Sequence, residues 1–435
     1  MKSKKKVILF RALIGFITIS GILNLTDVFI KHESSEFRIL EKPQMHQGIG
    51  TWKSYITKNV SITPTCVFIG DVNNDGNNDI ITINHEGNDI SVLIWNNNTD
   101  DWDYLELLSG KFPYYGFIGD ANNDGFNDIV SANWGDDNVA IYTWNYNFDT
   151  WDERILIPVG NYPYGVYIAD VNNDGYNDIV TANDFIYEVA ILLWNSTIGY
   201  WDNPIYRSIG VYPLGVSVGD VNNDGFNDIV TANRGSNDVS ILIWDDSMGD
   251  WIQSIEIGVG TIPMWVFIED ANNDGYNDIV TSNYGSYDVS IILWNNTLND
   301  WNPEVRKSVI DLPKCVFVGD ANNDGYNDII APNYNDQSVS VLLWNNVSGD
   351  WDSHITLEVG GSPQFVFVGD ANNDGYNDIV ADNSYDNTIS IILWNITDLP
   401  KIGILGYNIF ILISVFGVLL AISIKKLFSK KTCLE

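Results

Sequence analysis

A unit of about fifty residues occurs seven times between Trp52 and Asp398, and this repetition constrains the fold more than any other feature of the 435-residue chain. Each unit contains the octad Asp-(Val/Ala)-Asn-Asn-Asp-Gly-x-Asn, followed by Asp-Ile. The octads begin at Asp71, Asp120, Asp170, Asp220, Asp270, Asp320 and Asp370. A fixed period of this length is typical of solenoids and propellers, in which each supersecondary unit packs against its neighbours.

Each unit is predicted to form four short β-strands. In the fourth unit these are roughly Gly215–Gly219, Asp228–Ala232, Val239–Trp244 and Ile252–Ile257, rich in Val and Ile and bounded by Gly, Asn, Asp and Pro. The third of these strands is apolar on both faces, which favours a sheet packed between two others. The sequence therefore predicts an all-β fold, a seven-bladed β-propeller with four-stranded blades.

The order of the units predicts how the ring closes. The last unit stops after Trp394 and lacks its fourth strand, whereas a spare strand, Trp52–Ile56, precedes the first unit. We expect this N-terminal strand to complete the seventh blade, since the ends of an open solenoid would need caps. Trp-Asp-type and kelch-type propellers fit poorly, because no Gly-His precedes the Trp-Asp pairs and a Gly-Gly pair occurs only at residues 360–361.

The octad predicts a calcium site in every unit. Its Asp and Asn side chains offer oxygens at positions 1, 3, 5 and 9, and its glycine permits a sharp turn. A helical EF-hand is excluded, since position 12 is Thr82 rather than Glu and the flanking residues are strand-like. Asp, Asn and Gly also favour turns, but turn formation alone would not require the same four-ligand spacing in all seven units. The predicted ligands are Asp71, Asn73, Asp75, Asp79, Asp120, Asn122, Asp124, Asp128, Asp170, Asn172, Asp174, Asp178, Asp220, Asn222, Asp224, Asp228, Asp270, Asn272, Asp274, Asp278, Asp320, Asn322, Asp324, Asp328, Asp370, Asn372, Asp374 and Asp378.

The charge of the repeat region agrees with bound cations. Between Trp52 and Asp398 there are 9 Lys and Arg residues against 52 Asp and Glu residues, a net charge of −43. Such a surface repels phosphate backbones, so nucleic acid is excluded as a partner. Seven calcium ions would reduce the charge to −29, still acidic.

Residues 52–398 resemble the FG-GAP/VCBS repeat family, which includes the seven-bladed propeller of integrin α chains; the Asp-x-Asn-x-Asp-Gly-x-x-Asp loop carries the resemblance. The resemblance implies that this loop joins the first two strands of a blade and binds calcium on one face, up to seven ions in all. The chain departs from the family in two respects. Thr-Ala-Asn, as at residues 231–233, replaces the Gly-Ala-Pro element, and all seven loops are intact where integrins keep fewer.

Both ends of the chain are hydrophobic. Residues 1–25 combine a lysine-rich start with an apolar run and are predicted to be a signal peptide or an uncleaved signal anchor, followed by a linker at 26–51. Residues 402–424 are uncharged and long enough to cross a bilayer as a transmembrane helix. The basic residues of 425–435 predict a cytoplasmic tail, which places the propeller outside the cell membrane.

Variation between the units predicts a ligand-binding face at the strand ends opposite the acidic loops. There, aromatic side chains occur beside Asp and Asn, which suits an extracellular protein or glycan ligand. Packing between blades is the alternative, and the recurring Asn84 and its equivalents are interpreted as turn caps. The predicted ligand-binding residues are Tyr114, Trp134, Tyr164, Tyr187, Arg234, Trp265 and Tyr284.

No catalytic residues are predicted. The four histidines are scattered, and no His-Glu-x-x-His, Gly-x-Ser-x-Gly or phosphate-loop motif is present. We therefore expect a membrane-anchored, calcium-binding propeller that acts in recognition or adhesion without catalysis. Two alternatives remain open. One is a polysaccharide-active surface enzyme, since the carboxylates are too abundant for a catalytic pair to be recognised among them. The other is a structural subunit of a cell-surface complex.

The topology predicts glycosylation on the outside of the cell. Asn-x-Ser/Thr sequons occur at Asn59, Asn97, Asn195, Asn295, Asn346 and Asn395, and four of them fall between the predicted third and fourth strands. Glycopeptide analysis should find sugar on at least one of these turns.

The predicted orientation has its own test. Protease added to whole cells should cleave the propeller but not the 425–435 tail. Cleavage of the tail with protection of the propeller would contradict the orientation.

Overall fold

The computed structural model describes residues 50–252 and 254–395, all within the second of two compact units, which begins at Gln47. The predicted signal segment 1–25, all but the last residues of the linker 26–51, the transmembrane segment 402–424 and the tail 425–435 lie outside the described residues. Within the described residues, no helix has the length and hydropathy needed to cross a membrane.

Seven antiparallel four-stranded sheets form the blades, which confirms the predicted all-β propeller. The first strands are Pro64–Gly70, Pro113–Gly119, Pro163–Ala169, Pro213–Gly219, Pro263–Glu269, Phe317–Gly319 and Val366–Gly369. The second strands are Asp79–Asn84, Asp128–Asn133, Asp178–Asn183, Asp228–Asn233, Asp278–Asn283, Asp328–Asn333 and Asp378–Asn383. The third strands are Asp89–Asn96, Asn138–Tyr142, Glu188–Leu192, Asp238–Leu242, Asp288–Ile292, Ser338–Leu342 and Thr388–Ile392. The fourth strands are Asp101–Leu108, Ile155–Pro158, Ile205–Ser208, Ile255–Gly258, Val305–Ser308, Ile355–Glu358 and, for the seventh blade, Ile56–Asn59.

Six blades carry a short extra pair of strands beyond the third and fourth strands. The pairs are Trp144–Asn145 with Thr150–Trp151, Trp194–Asn195 with Tyr200–Trp201, Trp244–Asp245 with Asp250–Trp251, Trp294–Asn295 with Asp300–Trp301, Trp344–Asn345 with Asp350–Trp351, and Trp394–Asn395 with Thr51–Trp52. In each pair two tryptophans lie opposite each other, as Trp244 and Trp251 do at 4.9 Å between ring centroids. Such edge-to-face aromatic pairs stabilise the outer end of each blade.

The burial of the strands follows their position between blades. Every residue of the second strand Asp228–Asn233 is buried, whereas the fourth strand Ile255–Gly258 is largely exposed. A second strand is covered on both faces by neighbouring blades, which explains its continuous Val and Ile content. The fourth strand of this blade begins three residues later than predicted, because Trp251 pairs separately with Trp244.

The N-terminal segment closes the ring, as predicted, but the strand that completes the seventh blade is Ile56–Asn59 rather than the predicted Trp52–Ile56, because Trp52 pairs separately with Trp394. Ile56–Asn59 pairs with the third strand of the seventh blade, with Ile56 opposite Ile391 and Asn59 opposite Thr388. Trp52 lies opposite Trp394, and their rings meet edge to face at 5.0 Å. The first and last described parts of the chain therefore meet in one blade, so that no sheet is left incomplete.

The first strands of successive blades contact one another around a central channel. Part of the channel is a cavity of about 210 Å³. The equivalent residues of the seven first strands that line it are Phe68, Phe117, Tyr167, Ser217, Phe267, Phe317 and Phe367. Tyr115, Trp265 and Phe365 also line this cavity and meet across the centre, with centroid distances of 4.0–5.7 Å. They form an apolar plug in the channel.

Asparagine side chains of the acidic loops join each blade to the next. The Asn74 amide donates to the backbone carbonyl of Asn127 at 3.1 Å, and the Asn127 N–H donates back to Asn74 Oδ1 at 2.8 Å. The Asn127 amide also donates to the carbonyl of Asp71 at 2.9 Å. The same three bonds recur at the other joins, between residues 123 and 177, 173 and 227, 223 and 277, 273 and 327, 323 and 377, and 373 and 78. We call this closed circuit the asparagine belt.

The belt depends on an unusual backbone conformation. Asn74 has φ 56° and its six equivalents have φ values up to 60°. Asn is one of the few residues besides Gly that adopts this left-handed region at low cost. The octad thus needs Asn at its fourth position for conformation as well as for hydrogen bonding.

Replacing Asn74 by Ala should destabilise the full chain by about 2–4 kcal/mol, because two interblade hydrogen bonds are lost and Ala is strained at positive φ. Asn74→Gly should cost less, since Gly removes only the hydrogen bonds. Thermal unfolding midpoints measure both effects. The matched control is Asn147→Ala, an exposed turn position. If Asn74→Ala has the same unfolding midpoint as Asn147→Ala, the role of the belt is contradicted.

Candidate metal centres and the opposite face

Each acidic loop connects the first and second strands of its blade and is folded around its own carboxylates. Asp71 Oδ1 accepts from the N–H of Asp75, and Asp71 Oδ2 accepts from the N–H of Gly76, both at 2.9 Å. Gly76 has φ +90°, which closes the turn. The other six loops repeat these bonds at 2.8–2.9 Å. All seven predicted quartets are thus gathered in equivalent loops at one end of the ring, the metal-loop face.

The last aspartate of each quartet is buried at the base of its loop. Asp79 Oδ1 accepts from the N–H of Trp95 at 2.8 Å, and Oδ2 accepts from the N–H of Val72 at 3.2 Å. Burial, with a smaller contribution from the carboxylates of Asp75 and Asp71, raises the pKa of Asp79 to about 7. Burial likewise raises the pKa of Asp128, Asp178, Asp228, Asp278 and Asp378 to about 7, and that of Asp328 to about 8. A cation bound beside these carboxylates would favour their ionised form and lower their pKa.

The donor chemistry of the loops fits calcium. Three carboxylates and an amide oxygen are hard ligands, and a carboxylate that accepts one N–H keeps lone pairs for a cation. Among the described residues, Oδ2 of the last aspartate has at most the N–H groups of the octad's second and third residues as partners, as for Asp128 Oδ2 with Ala121 at 3.0 Å and Asn122 at 3.1 Å, so each carboxylate keeps a lone pair for a cation. Within residues 50–252 and 254–395, no group of three or more His, Cys, Asp or Glu side chains is already arranged to hold a metal ion. Binding would therefore draw the loop carboxylates closer together.

The recurring asparagines at the ends of the second strands have a structural role. Asn84 is fully buried, and its amide donates to Asp89 Oδ1 at 2.7 Å and to Ser91 Oγ at 2.9 Å. Asn133, Asn183, Asn233, Asn283, Asn333 and Asn383 are buried likewise. These contacts show that Asn84 joins the second and third strands beside the turn, which agrees with a structural role.

The face opposite the metal loops carries a continuous row of aromatic rings across the first four blades. His85 packs on Tyr114 at 4.1 Å, and Tyr114 stacks on Tyr164 at 4.5 Å. Edge-to-face and tilted ring contacts extend the row, as between Trp134 and Tyr162, whose ring centroids are 4.8 Å apart. The members of this aromatic arc are His85, Phe112, Tyr114, Trp134, Tyr162, Tyr164, Phe185, Tyr187 and Tyr212.

The backbone before each first strand positions part of the arc. Phe112 and Tyr162 precede prolines and have φ values of 51° and 57°. The N–H of Phe112 donates to Asn88 Oδ1 of the preceding blade at 2.8 Å, and the N–H of Tyr162 donates to Asp137 Oδ1 at 3.0 Å. These bonds hold bulky residues in a region that they rarely adopt. The arc is therefore placed by interblade contacts.

An ion pair ends the arc. The Arg234 guanidinium donates to both oxygens of Asp184 at 2.9 and 3.1 Å, and it lies over the ring of Tyr212 at 5.4 Å. Burial raises the pKa of Asp184, and the Arg234 charge opposes that shift. The two residues occupy the same position in adjacent units, so two repeats have diverged into a complementary pair.

Five of the seven predicted ligand-binding residues lie together: Tyr114, Trp134, Tyr164 and Tyr187 in the arc, and Arg234 at its end. Tyr284 lies in the loop after the fifth blade's second strand, beyond the arc. Trp265 is only 4% exposed, because the inner strand directs it into the channel plug rather than to the surface.

Sequence reasoning missed a polar group near the channel. Lys314 donates to Gln364 Oε1 at 2.9 Å and lies over the Tyr334 ring at 3.9 Å. Asp382 is fully buried, and its Oδ2 has no hydrogen-bond partner. The sequence does contain a signal for it, since Asp382 replaces the Ile, Ala, Ser or Pro that the other units have at this position.

Comparisons with known proteins agree with this architecture. Residues 120–181, 170–231, 220–281 and 320–381, together about half of the chain, match the FG-GAP-like repeat. A search of curated proteins finds no match.

Similar solved structures share the fold at low identity. BBS1N, solved in complex with ARL6DN, is 12% identical with a TM-score of 0.56, covering 79% of this chain and 97% of its own. Hydrazine synthase from Kuenenia stuttgartiensis is 14% identical with a TM-score of 0.54, covering 78% and 97%. A putative 6-phosphogluconolactonase from Bacteroides uniformis is 12% identical with a TM-score of 0.51, covering 68% and 86%.

Removing calcium should lower the thermal midpoint of the full chain at pH 8. A ligand at about 100 times its dissociation constant contributes roughly 2.7 kcal/mol per site. Magnesium at equal concentration is the control and should stabilise less, because it demands a tighter octahedral site. A midpoint at pH 8 that does not respond to chelation would contradict the metal sites.

The pH dependence should differ with and without calcium. The pKa of Asp79 is about 7 in the folded chain against an ordinary 3.8, so without metal the fold is most stable when this carboxyl is protonated. In chelator, we expect the midpoint to fall as pH rises through about 7. Calcium binds the ionised form, so the calcium-induced rise in midpoint should be larger at pH 8 than at pH 5.

Proposed function

This chain belongs to the FG-GAP-like repeat family, and on that premise we propose that it is a calcium-stabilised propeller for recognition or adhesion. The observation that carries this proposal is the aromatic arc with its Arg234–Asp184 pair on the face opposite the metal loops. One face repeats the same chemistry seven times, whereas the other differs from blade to blade. Residues that repeat in every blade are expected to have a structural role, whereas residues that differ between blades are expected on a surface that binds a specific partner.

The metal loops are assigned to stability. Each loop fixes the turn between two strands and carries the asparagine belt to its neighbours. A calcium ion in each loop, held by quartets such as Asp71, Asn73, Asp75 and Asp79, would neutralise a buried carboxylate and stiffen the belt. This is an architectural role rather than a catalytic one.

The arc favours an uncharged or weakly charged ligand, either a glycan or a protein segment. Partly exposed rings such as Phe185 and Tyr187 offer apolar faces, and the Arg234–Asp184 pair supplies hydrogen-bond donors and acceptors beside them. The repeat region's charge of −43 disfavours polyanions.

The contacts of the arc favour binding over catalysis. Both oxygens of Asp184 accept hydrogen bonds from Arg234, so the carboxylate is held in an ion pair rather than left free for proton transfer to a ligand. His85 is packed between Phe112 and Tyr114, and burial lowers its pKa. We therefore assign no catalytic residues and rank the polysaccharide-active enzyme and the structural subunit of a surface complex below recognition.

The location follows from the ends of the chain. We propose that residues 402–424 anchor the propeller in the cell membrane, with the tail in the cytoplasm and the binding face outside. Residues 1–25 would form a second anchor if they are not cleaved. Glycans are proposed at the sequons, of which Asn59, Asn97 and Asn346 are exposed. The amides of the four turn sequons each donate within the blade: Asn97 to Asn77 at 3.2 Å, Asn195 to Asp202 at 3.1 Å, Asn295 to Asn302 at 2.9 Å and Asn346 to Tyr326 at 2.8 Å.

Binding should be lost when the arc is changed. The full chain, purified in detergent, is screened on a glycan array and against surface proteins of the same cells. Trp134→Ala and Arg234→Ala should each weaken the ligand found by at least about tenfold, as expected of central aromatic and arginine contacts. The control is Tyr385→Ala, an exposed aromatic on the same face but outside the arc. Equal losses in all three variants, or turnover of a glycan, would contradict the proposal.

A further inference from the structure

Exposed apolar side chains occupy the tips of the hairpins between the third and fourth strands. Phe148, Ile198, Met248 and Leu298 stand at the same position in four consecutive blades and are 62–76% exposed. In the sixth blade Val347, one position earlier in its turn, is 57% exposed. We call these five residues the apolar tips.

Nothing within the blades requires these side chains. Hairpin turns usually carry Asn, Asp, Gly or Ser, and the first blade has Thr99 at this position. The tips lie in turns closed by their own backbone, as where the N–H of Phe148 donates to the carbonyl of Asn145 at 3.1 Å. A row of exposed apolar side chains across successive blades indicates a surface that something else covers.

The apolar tips lie on the same side of the ring as the metal loops. The turn residue Asn346 donates to the hydroxyl of Tyr326, a metal-loop residue, at 2.8 Å. In the second blade Tyr146 stacks on Phe126 of the loop at 5.1 Å. The third strand returns the chain to the end of the blade from which the second strand departed, so every tip stands at the rim of the metal-loop face.

The chain leaves the described structure at this rim. Trp394 and Asn395 are the seventh blade's equivalents of Trp144 and Asn145, which begin the turn that holds the second blade's tip. Thr51 enters the blade opposite Asn395. The predicted transmembrane segment begins at Ile402, seven positions after Asn395, a distance of at most about 25 Å when extended.

We infer that the metal-loop face docks on the bilayer and that the apolar tips enter its interfacial region. A turn that enters the lipid carries no glycan, so under this inference the proposed glycans lie at Asn59, exposed at the opposite end of its blade, or at Asn97, whose turn has no apolar tip. The inference rests on the proposed membrane anchor, which would hold this rim within about 25 Å of the lipid. Apolar side chains in the headgroup and acyl boundary are stabilised by burial. Because the repeat region carries a charge of −43, the occupant is zwitterionic lipid rather than an anionic surface. The aromatic arc then faces away from the membrane, open to ligands.

Spin labels on the full chain in phosphatidylcholine nanodiscs test the docking. Cys66 and Cys315 are fully buried and should resist labelling, and Cys433→Ser removes the cysteine of the tail. Single labels are placed by Phe148→Cys and Met248→Cys at the tips. The matched control is Tyr385→Cys, at an exposed aromatic on the opposite face that is 82% exposed. Power saturation with oxygen and with a water-soluble nickel chelate then reports the depth of each label.

The docked orientation predicts a sign change in the depth parameter. Labels at positions 148 and 248 should be accessible to oxygen and shielded from nickel, whereas the label at position 385 should show the reverse. If the labels at positions 148 and 248 are as accessible to nickel as the label at position 385, the docking is refuted, but the proposed membrane anchor is not. Labels shielded from both reagents would indicate burial against protein and would also overturn it. A chain that fails to enter the nanodiscs at all would refute the membrane anchor and the docking together.

Discussion

The short acidic loop is the constraint on which the rest of the propeller depends. In eight residues it reverses the chain between two strands, places Asp79 at its base and sends Asn74 into the next blade. These tasks share one backbone shape, with Asn74 and Gly76 both at positive φ. A change that relaxes this shape would loosen a turn, a candidate metal site and an interblade join at once. This explains why the loop varies so little across seven blades.

The two faces of the ring divide the remaining tasks. On the metal-loop face, repetition closes the asparagine belt and leaves the blades nearly interchangeable. On the other face, equivalent positions hold His85, Trp134, Asp184 and Arg234, so the same scaffold presents different chemistry in each blade. An ion pair such as Arg234–Asp184 forms only because adjacent repeats have diverged. Specific recognition is proposed where that divergence is concentrated, and the proposed membrane docking would leave this face free.

The sequence predicts features that repeat and fails where neighbouring blades decide the outcome. The strands, the ring closure by the N-terminal segment and the grouping of the acidic quartets are predictable from period and spacing, although the closing strand begins four residues later than the predicted Trp52. The belt was not, because the partner of Asn74 is 53 residues away and only the closed ring brings Asn127 to it. The sequence pattern places Trp265 in a surface loop, yet the inner strand buries it against Tyr115 across the channel. Asp382 differs from its six equivalents in the sequence, but its burial, on which its effect depends, is visible only in the structure.

The stoichiometry of calcium tests the central claim most directly. Seven equivalent loops, each with a buried carboxylate whose pKa burial raises, predict seven calcium ions per chain. Native mass spectrometry of the full chain, released from detergent in a calcium buffer, counts the bound ions. The account predicts a species with seven ions that loses them in chelator. Two results would contradict it. One is a chain that carries no calcium, and the other is a chain that carries no more calcium ions than the double variant Asp75→Ala, Asp124→Ala.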